Sequence, residues 1–194
     1  MSQAILRSPR ITLLPLADEH LDHEVELDAD PEVMRYLGNG TGRSRLEVER
    51  AHRNRMAAAT QVPGLGYWIG LVGDRFVGWW ILAAPDRPDQ GPVESQAELG
   101  YRLLPRYWRR GLASEGAREL LRYGFEDLGL TRVFAETMAV NTASRATMAA
   151  IGLEYVRTFH LRWEDPIPGA EHGEVEYAIT RKHWNTNRSR FNIR

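Results

Sequence analysis

The sequence predicts one mixed α/β domain: a sheet of about seven strands with helices linking neighbouring strands. Three observations carry that expectation. Short runs rich in β-branched and aromatic residues alternate with segments of helical spacing, in the order strand, helices, three strands, helix, strand, helix, two strands. The length of 194 residues suits a single domain with a substantial core, and no internal repeat or low-complexity stretch divides it. Hydrophobic content of 43% and charged content of 26% are ordinary for a soluble globular chain. The domain takes in residues 1–194, with a core of about 8–184 and a polar, basic tail at 185–194, expected as a frayed or packed arm.

Each element follows from its residues. RITLLPL (10–16) reads as the first strand. In ADEHLDHEVELDADPEVMRYLG (17–38), Leu21, Val25 and Leu27 are followed by Val33, Met34 and Leu37. The Asp30-Pro31 step divides this stretch into two short helices, because proline suits a helix start and not its interior. Residues 43–60 are expected to be helical, with Leu46, Val48 and Met56 among many arginines. GYWIGLV (66–72) and RFVGWWIL (75–82) read as strands joined by a tight turn at Gly73-Asp74. APDRPDQGPVES (84–95) holds three prolines and a glycine and is a loop. QAELGYRLL (96–104) alternates, with Ala97, Leu99, Tyr101 and Leu103 on one face and Glu98, Gly100 and Arg102 on the other. A helix is expected from about Gly111 to Leu128, then the strand TRVFAETMA, the helix NTASRATMAAIG, and the strands LEYVRTFHLRW and EVEYAIT.

Composition removes several functions. Net charge is −1, so no global field recruits nucleic acid, and no polybasic stretch resembles a membrane anchor. Apolar runs are too short to span a bilayer, and MSQAILRSPR lacks the apolar core of a secretory signal. The chain has no cysteine, which excludes disulfides, thiolate nucleophiles and cysteine metal sites. A cytoplasmic enzyme fits, although other compartments are compatible with the same composition. No metal site is expected.

The stretch PRYWRRGLASEG (105–116) sits where a strand hands over to a helix. The first N–H groups of a helix lack internal partners and carry partial positive charge. Gly111 and Ala113 leave that backbone open to an anion, Ser114 adds a hydroxyl, and Arg109 and Arg110 add charge and donors. An ordinary turn with solvated arginines would look the same in isolation. Neither a G-x-G-x-x-G after a strand nor a G-K-[ST] loop is present, so the dinucleotide fold and the P-loop are not indicated.

SPRITLLPL, DADPEVMRYLG, AELGYRLLPRYWRRGLASEG, NTASRATMAAIGLEY and EVEYAITRKHW, in this order and spacing, resemble the GNAT superfamily of N-acetyltransferases, in its branch of ribosomal-protein N-terminal acetyltransferases (RimJ/RimL-like). The likeness runs nearly end to end. The superfamily's Q/R-x-x-G-x-G/A signature falls on Trp108–Ala113, with Trp108 departing from the usual Gln or Arg. The resemblance implies a mostly antiparallel sheet with helices on both faces, and acetyl-CoA as cosubstrate. It places the pyrophosphate on N–H groups of residues 109–114 (Arg109, Arg110, Gly111, Leu112, Ala113, Ser114). It sets the pantetheine arm against backbone groups near Leu103 and Leu104, as a ligand added to an open sheet edge. It further implies Asn141 near the thioester, with Ser144 one turn later. Asn141 also reads as an N-cap of a helix that Gly152 ends.

Acetyl transfer to an amine needs a base, a polarised carbonyl and positioning of the two reactants. Glu98 is the candidate base, at a strand position where family members often carry glutamate. The competing expectation is that Glu98 pairs with Arg102 along the same face. A strand N–H near Leu103 would polarise the carbonyl. Tyr155 lies in the region where many superfamily members place an acid, but its closeness to Gly152 favours a core strand residue.

Other features have blander readings. His20 and His23 have metal-compatible spacing but no matching ligands, and are expected at the surface. Arg43, Arg45, Arg50, Arg53 and Arg55 interleave with Glu47 and Glu49, as on a solvated helix face. One ring of Trp79-Trp80 must enter the core, leaving the other for a dimer contact or an acceptor wall. The loop WEDPIPGAEHG (163–173) carries Glu164, Asp165 and Glu171, which would attract a cationic amine or simply be solvated. The expected partner is a primary amine acceptor, either a protein N-terminus or a small amine, with a homodimer allowed by resemblance and no nucleic acid or membrane. A non-catalytic acyl-CoA-binding sensor is the alternative.

Overall fold

The computed structural model describes residues 3–163 and 165–187. Eight strands form one sheet: β1 (Leu6–Arg7), β2 (Thr12–Pro15), β3 (Gly66–Val72), β4 (Arg75–Ala83), β5 (Gln96–Leu103), β6 (Arg132–Met138), β7 (Glu154–Phe159) and β8 (Glu174–Thr180). They lie in the order β1-β2-β3-β4-β5-β6-β8-β7. Every neighbouring pair is antiparallel except β5 with β6. The eighth strand is the two-residue β1, too short to leave an alternation pattern in the sequence.

The helices are α1 (Leu21–Asp28), α2 (Pro31–Met34), α3 (Arg45–Ala58), α4 (Leu112–Arg122), α5 (Thr142–Ala150) and α6 (Arg181–Asn187). Pro31 opens α2, and the Asp30 carboxylate caps it by accepting the Glu32 N–H at 2.8 Å. The β3–β4 hairpin closes at Gly73-Asp74, with Val72 opposite Arg75. At the end of α5 the Leu153 N–H donates to Met148 and the Gly152 N–H to Ala149, and Gly152 adopts a φ of +93°.

Trp79 and Trp80 sort the interior into two cores, because successive strand residues face opposite sides. Trp80 enters the larger core with Ala97, Leu99, Leu103, Leu120 and Leu121, under α4 and α5. Its ring lies between Gly70 and Gly116, where a Cβ would come within 2.2 and 2.5 Å of it, and its Nε1–H donates to the Ala113 carbonyl at 3.1 Å. Those two glycines let α4 pack directly on the sheet. Trp79 enters a smaller core on the other face with Leu27, Val33, Ile69, Phe76 and Leu104, under α1 to α3. Among the described residues no helix is long and apolar enough to cross a membrane.

Two sequence expectations need correction here. α3 is not a wholly solvated face: Val48, His52 and Arg55 are buried. Nor are the histidines on α1 and before it free at the surface. His20 is buried and its Nδ1 accepts the Ala17 N–H at 3.0 Å, while His23 stacks on Phe76 at 4.5 Å.

Candidate functional site

The parallel ladder between β5 and β6 covers only Gln96–Glu98 against Arg132–Phe134. β5 nevertheless continues to Leu103 and β6 to Met138, so a wedge opens beyond Glu98. The Leu104 N–H donates to the Val77 carbonyl at 3.0 Å. Alternation along an antiparallel strand then turns the main-chain groups of Leu99, Tyr101 and Leu103 toward the wedge. The expectation for Leu104 changes accordingly. Its N–H is committed to Val77 and its carbonyl already accepts the Tyr107 N–H at 2.9 Å, so it has no N–H to offer a ligand. The Leu103 carbonyl accepts the Trp108 indole N–H at 2.7 Å, and the Leu103 N–H stays open on that edge beside those of Leu99 and Tyr101. Trp108, the departure from the signature, thus ties the loop to the strand end.

At the far end of the wedge, Arg109 and Gly111 both adopt positive φ, +57° and +75°. This bends the chain into α4 without a capping side chain at Gly111. Among the described residues, none of the six N–H groups from Arg109 to Ser114 donates a hydrogen bond. Consecutive open donors at a helix start can cradle an anion. Glu115 fixes this turn by accepting from the Ser8 hydroxyl at 2.7 Å and the Arg10 N–H at 2.8 Å, with Arg10 also ion-paired to it at 2.6 Å. Arg10 donates to the Arg110 carbonyl as well, at 3.0 Å, so a cation stands beside the cradle.

Asn141 caps α5 by accepting the Ser144 N–H at 3.2 Å, and its Nδ2 donates to the Thr137 hydroxyl at 3.1 Å. The capping reading is therefore correct geometrically, and the residue still lines the wedge. The Ser144 hydroxyl lies 3.3 Å from the Tyr101 hydroxyl, which donates to the Ser144 carbonyl at 3.1 Å. Burial pushes the Tyr101 phenol up to about 12, so it remains a neutral hydroxyl.

Glu98 stands where the wedge opens. It does not pair with Arg102, which instead bonds Asp28. Its carboxylate accepts from Gln90 Nε2 at 3.2 Å, and the same amide reaches Glu136 at 3.3 Å. Arg87 grips both oxygens of Glu136 at 2.9 and 2.8 Å. Burial, then the nearby Glu136 and Asp86 carboxylates, push the Glu98 carboxyl from 4.5 up to about 7. A carboxyl so placed exchanges a proton with an amine near neutral pH. The Arg87–Gln90–Glu136 support escaped the sequence reading; the one signal was a glutamate in the middle of TRVFAETMA.

The opposite wall is held by a buried charge cluster. Asp28 meets Arg102, Arg55 at 3.0 Å and Arg43 at 3.4 Å, while Glu24 meets Arg55 and His52. The guanidiniums of Arg102 and Arg55 both lie against the Trp79 ring, 4.7 and 5.4 Å from its centroid. Such a cluster is costly to bury and strongly destabilising to break, so it holds α1 and α3 in one position over the sheet.

A continuous cavity of about 1190 Å³ joins these parts. Glu98, Leu103, Arg109, Gly111, Leu112, Ala113, Ser114, Asn141 and Ser144 line it, with Trp79 on the far wall; Leu104 and Arg110 do not. Tyr155 is neither core nor cavity: it is exposed on the edge strand β7, with its hydroxyl 2.9 Å from that of Thr158. In the 163–173 loop Asp165 is exposed and Glu171 accepts the Gly169 N–H at 3.0 Å, while Glu164 lies outside the described residues. Among the described residues no group of three or more His, Asp or Glu side chains is arranged to hold a metal ion.

Residues 10–154 match the acetyltransferase (GNAT) domain family. The chain is 45% identical over 186 residues to the FsC-acetyl coenzyme A-N(2)-transacetylase of Aspergillus fumigatus, covering 94% of this chain and 79% of that protein. Among solved structures, the ribosomal L7/L12 α-N-protein acetyltransferase RimL in complex with coenzyme A superposes with a TM-score of 0.76 at 15% identity, over 91% of this chain and 98% of that one. An aminoglycoside acetyltransferase in complex with coenzyme A gives 0.74 at 15% identity, over 92% and 99%. At such identities the two structures share the fold.

Proposed function

The chain belongs to the GNAT acetyltransferase family and is an N-acetyltransferase, and from that premise we propose that it acetylates a primary amine of a small molecule, using acetyl-CoA, by direct attack within a ternary complex. One observation carries the reading: a single cavity runs from six open N–H groups at the start of α4, along the free edge of β5, to a carboxyl whose pKa is about 7. The relative from Aspergillus fumigatus, whose name specifies an N(2) nitrogen, favours the small-molecule acceptor.

The residues divide the work. The N–H groups of Arg109 to Ser114, with Arg10 beside them, hold the diphosphate. The edge of β5 pairs with the amide-bearing arm, and Asn141 and Ser144 flank its far end. Acetyl-CoA, when bound, supplies an acetyl group activated as a thioester. The Leu103 N–H and its neighbours on the edge polarise the carbonyl. Glu98 takes a proton from the bound ammonium, directly or through water, and the neutral amine then attacks the carbonyl. An α-amine with a pKa near 7.8 costs about 1 kcal/mol to deprotonate at pH 7, and a lysine near 10.4 roughly 4–5 kcal/mol. A base at about 7 is matched to the first. The acetyl group leaves sulfur for nitrogen, the nitrogen's second proton passes to the departing thiolate, and the proton taken by Glu98 returns to solvent.

That match of base to amine also favours a second reading, a protein N-terminal α-amine, in line with the RimJ/RimL-like resemblance. An acceptor screen separates the two. CoA release is followed with small amines, N-terminal peptides, lysine peptides and aminoglycosides in parallel. Turnover confined to peptides would overturn the small-molecule reading. Binding of acetyl-CoA with no turnover on any acceptor would favour a sensor.

A further inference from the structure

Beside the main cavity lies a smaller pocket of about 160 Å³, sharing Tyr36, Leu37, Glu136 and Thr137 with it and closed by Leu161, Trp163 and Glu174. Glu174 is 6% exposed, and its Oε1 is buried without a hydrogen-bond partner among the described residues. A buried carboxylate oxygen left unsatisfied costs on the order of 1–3 kcal/mol, more for a charged group, a cost that a donor reaching the carboxylate from the pocket would relieve. The nearby cation does not fill it: Arg87 is committed to Glu136 and to Asp89 at 3.1 Å. Burial and the Glu136 carboxylate accordingly raise the Glu174 pKa.

The strand register shows what the pocket is continuous with. Glu98 on β5 lies opposite Phe134, Glu136 on β6 lies opposite Glu176, and Glu174 is two residues along β8. Three carboxylates therefore run in a line from the mouth of the wedge to the small pocket, over on the order of 15 Å between the outer Cα atoms. Tyr36 and Trp163 supply aromatic walls of the kind that favour an organic cation.

We propose that this pocket is a second acceptor subsite, in which the Glu174 carboxylate receives a cationic amino group of the acceptor while another amine of the same molecule is acetylated beside Glu98. The inference rests on the small-molecule reading above and narrows it to acceptors bearing at least two amino groups. Glu174 acts in binding only. Its effect falls on KM, and it takes no part in proton transfer.

The test compares amino-acid amides whose α-amine suits the base, with and without a second amino group at equal carbon number: lysinamide and ornithinamide as diamines against norleucinamide and norvalinamide as monoamines. Initial rates of CoA release give kcat and KM, and a thermal-shift titration with the diamine alone gives binding without turnover. The expected result is a preference for the diamine of at least tenfold in kcat/KM, expressed in KM. Glu174→Gln, of the same shape, should cut that preference about tenfold with little change in kcat. Trp163→Ala, in the pocket lining, should also weaken it if the first variant folds poorly. Equal kcat/KM for diamine and monoamine in the wild type, or a preference that survives Glu174→Gln, overturns the subsite and leaves the acetyltransferase reading intact. Diamine binding that needs Glu174 but releases no CoA overturns the reading and keeps the pocket. Neither binding nor turnover removes both.

Discussion

Replacing Glu98 with glutamine should make the protein more stable and less active at the same pH. The folded carboxyl holds its proton more tightly than the unfolded one, because burial and Glu136 raise its pKa from 4.5 to about 7. The sign follows from proton counting. Below about pH 4.5 the group is protonated in both states and costs nothing. As pH rises toward 7 the unfolded chain ionises first, so Glu98 lowers stability progressively, and the full penalty is present above 7. A rise from 4.5 to about 7 corresponds to roughly 3 kcal/mol. Residual access to the cavity screens the charge and reduces this to about 2 kcal/mol. Glutamine mimics the protonated form and escapes the penalty. Urea unfolding should therefore show Glu98→Gln about 2 kcal/mol more stable than the wild type near pH 8, with the gap closing near pH 5. CoA release at pH 7 should fall on the order of 100-fold, as expected for loss of a general base. The wild-type kcat/KM should rise with pH through an apparent pKa of about 7. A variant less stable than the wild type near pH 8, or one with undiminished turnover, would refute the reasoning.

Three further outcomes follow. Gly111→Ala places a side chain at a φ of +75°, which costs about 1–2 kcal/mol, so the loop should relax and disperse its N–H groups. Calorimetry should show about tenfold weaker acetyl-CoA binding, and unchanged affinity would remove the loop from the site. Gly116→Ala drives a Cβ to 2.5 Å from the Trp80 ring and should destabilise by about 1–3 kcal/mol in urea titration, through overpacking. Tyr155→Phe should leave kcat and its pH profile as they are, since the hydroxyl meets only Thr158 on an exposed edge; a lost basic limb would restore Tyr155 as an acid.

What could be read in advance was whatever is written locally in the chain. The two faces of residues 96–104, the break at Asp30-Pro31 and the open turn at Gly111 each depend on neighbours a few residues away, and each stands as expected. The buried cluster of Glu24, Asp28, Arg55 and Arg102 was not legible. Charged residues in a helix have the same spacing whether they face water or one another, and these meet across 27 to 74 positions of sequence. The same limit hid Glu136 and Glu174, whose significance comes from lying across strands from Glu98. Tyr155 illustrates the converse: a strand with aromatic and β-branched residues was read as interior, yet it forms the outer edge of the sheet.

The brief ladder at residues 96–98 has a consequence for product handling. On the reading proposed above, spent and loaded carrier grip the same seam, since neither the α4 cradle nor the β5 edge senses whether the distal sulfur still bears an acyl cargo. Most of the affinity is then common to reactant and by-product. Free CoA becomes an inhibitor by construction, and the turnover ceiling is set by how fast the two half-sheets let it go.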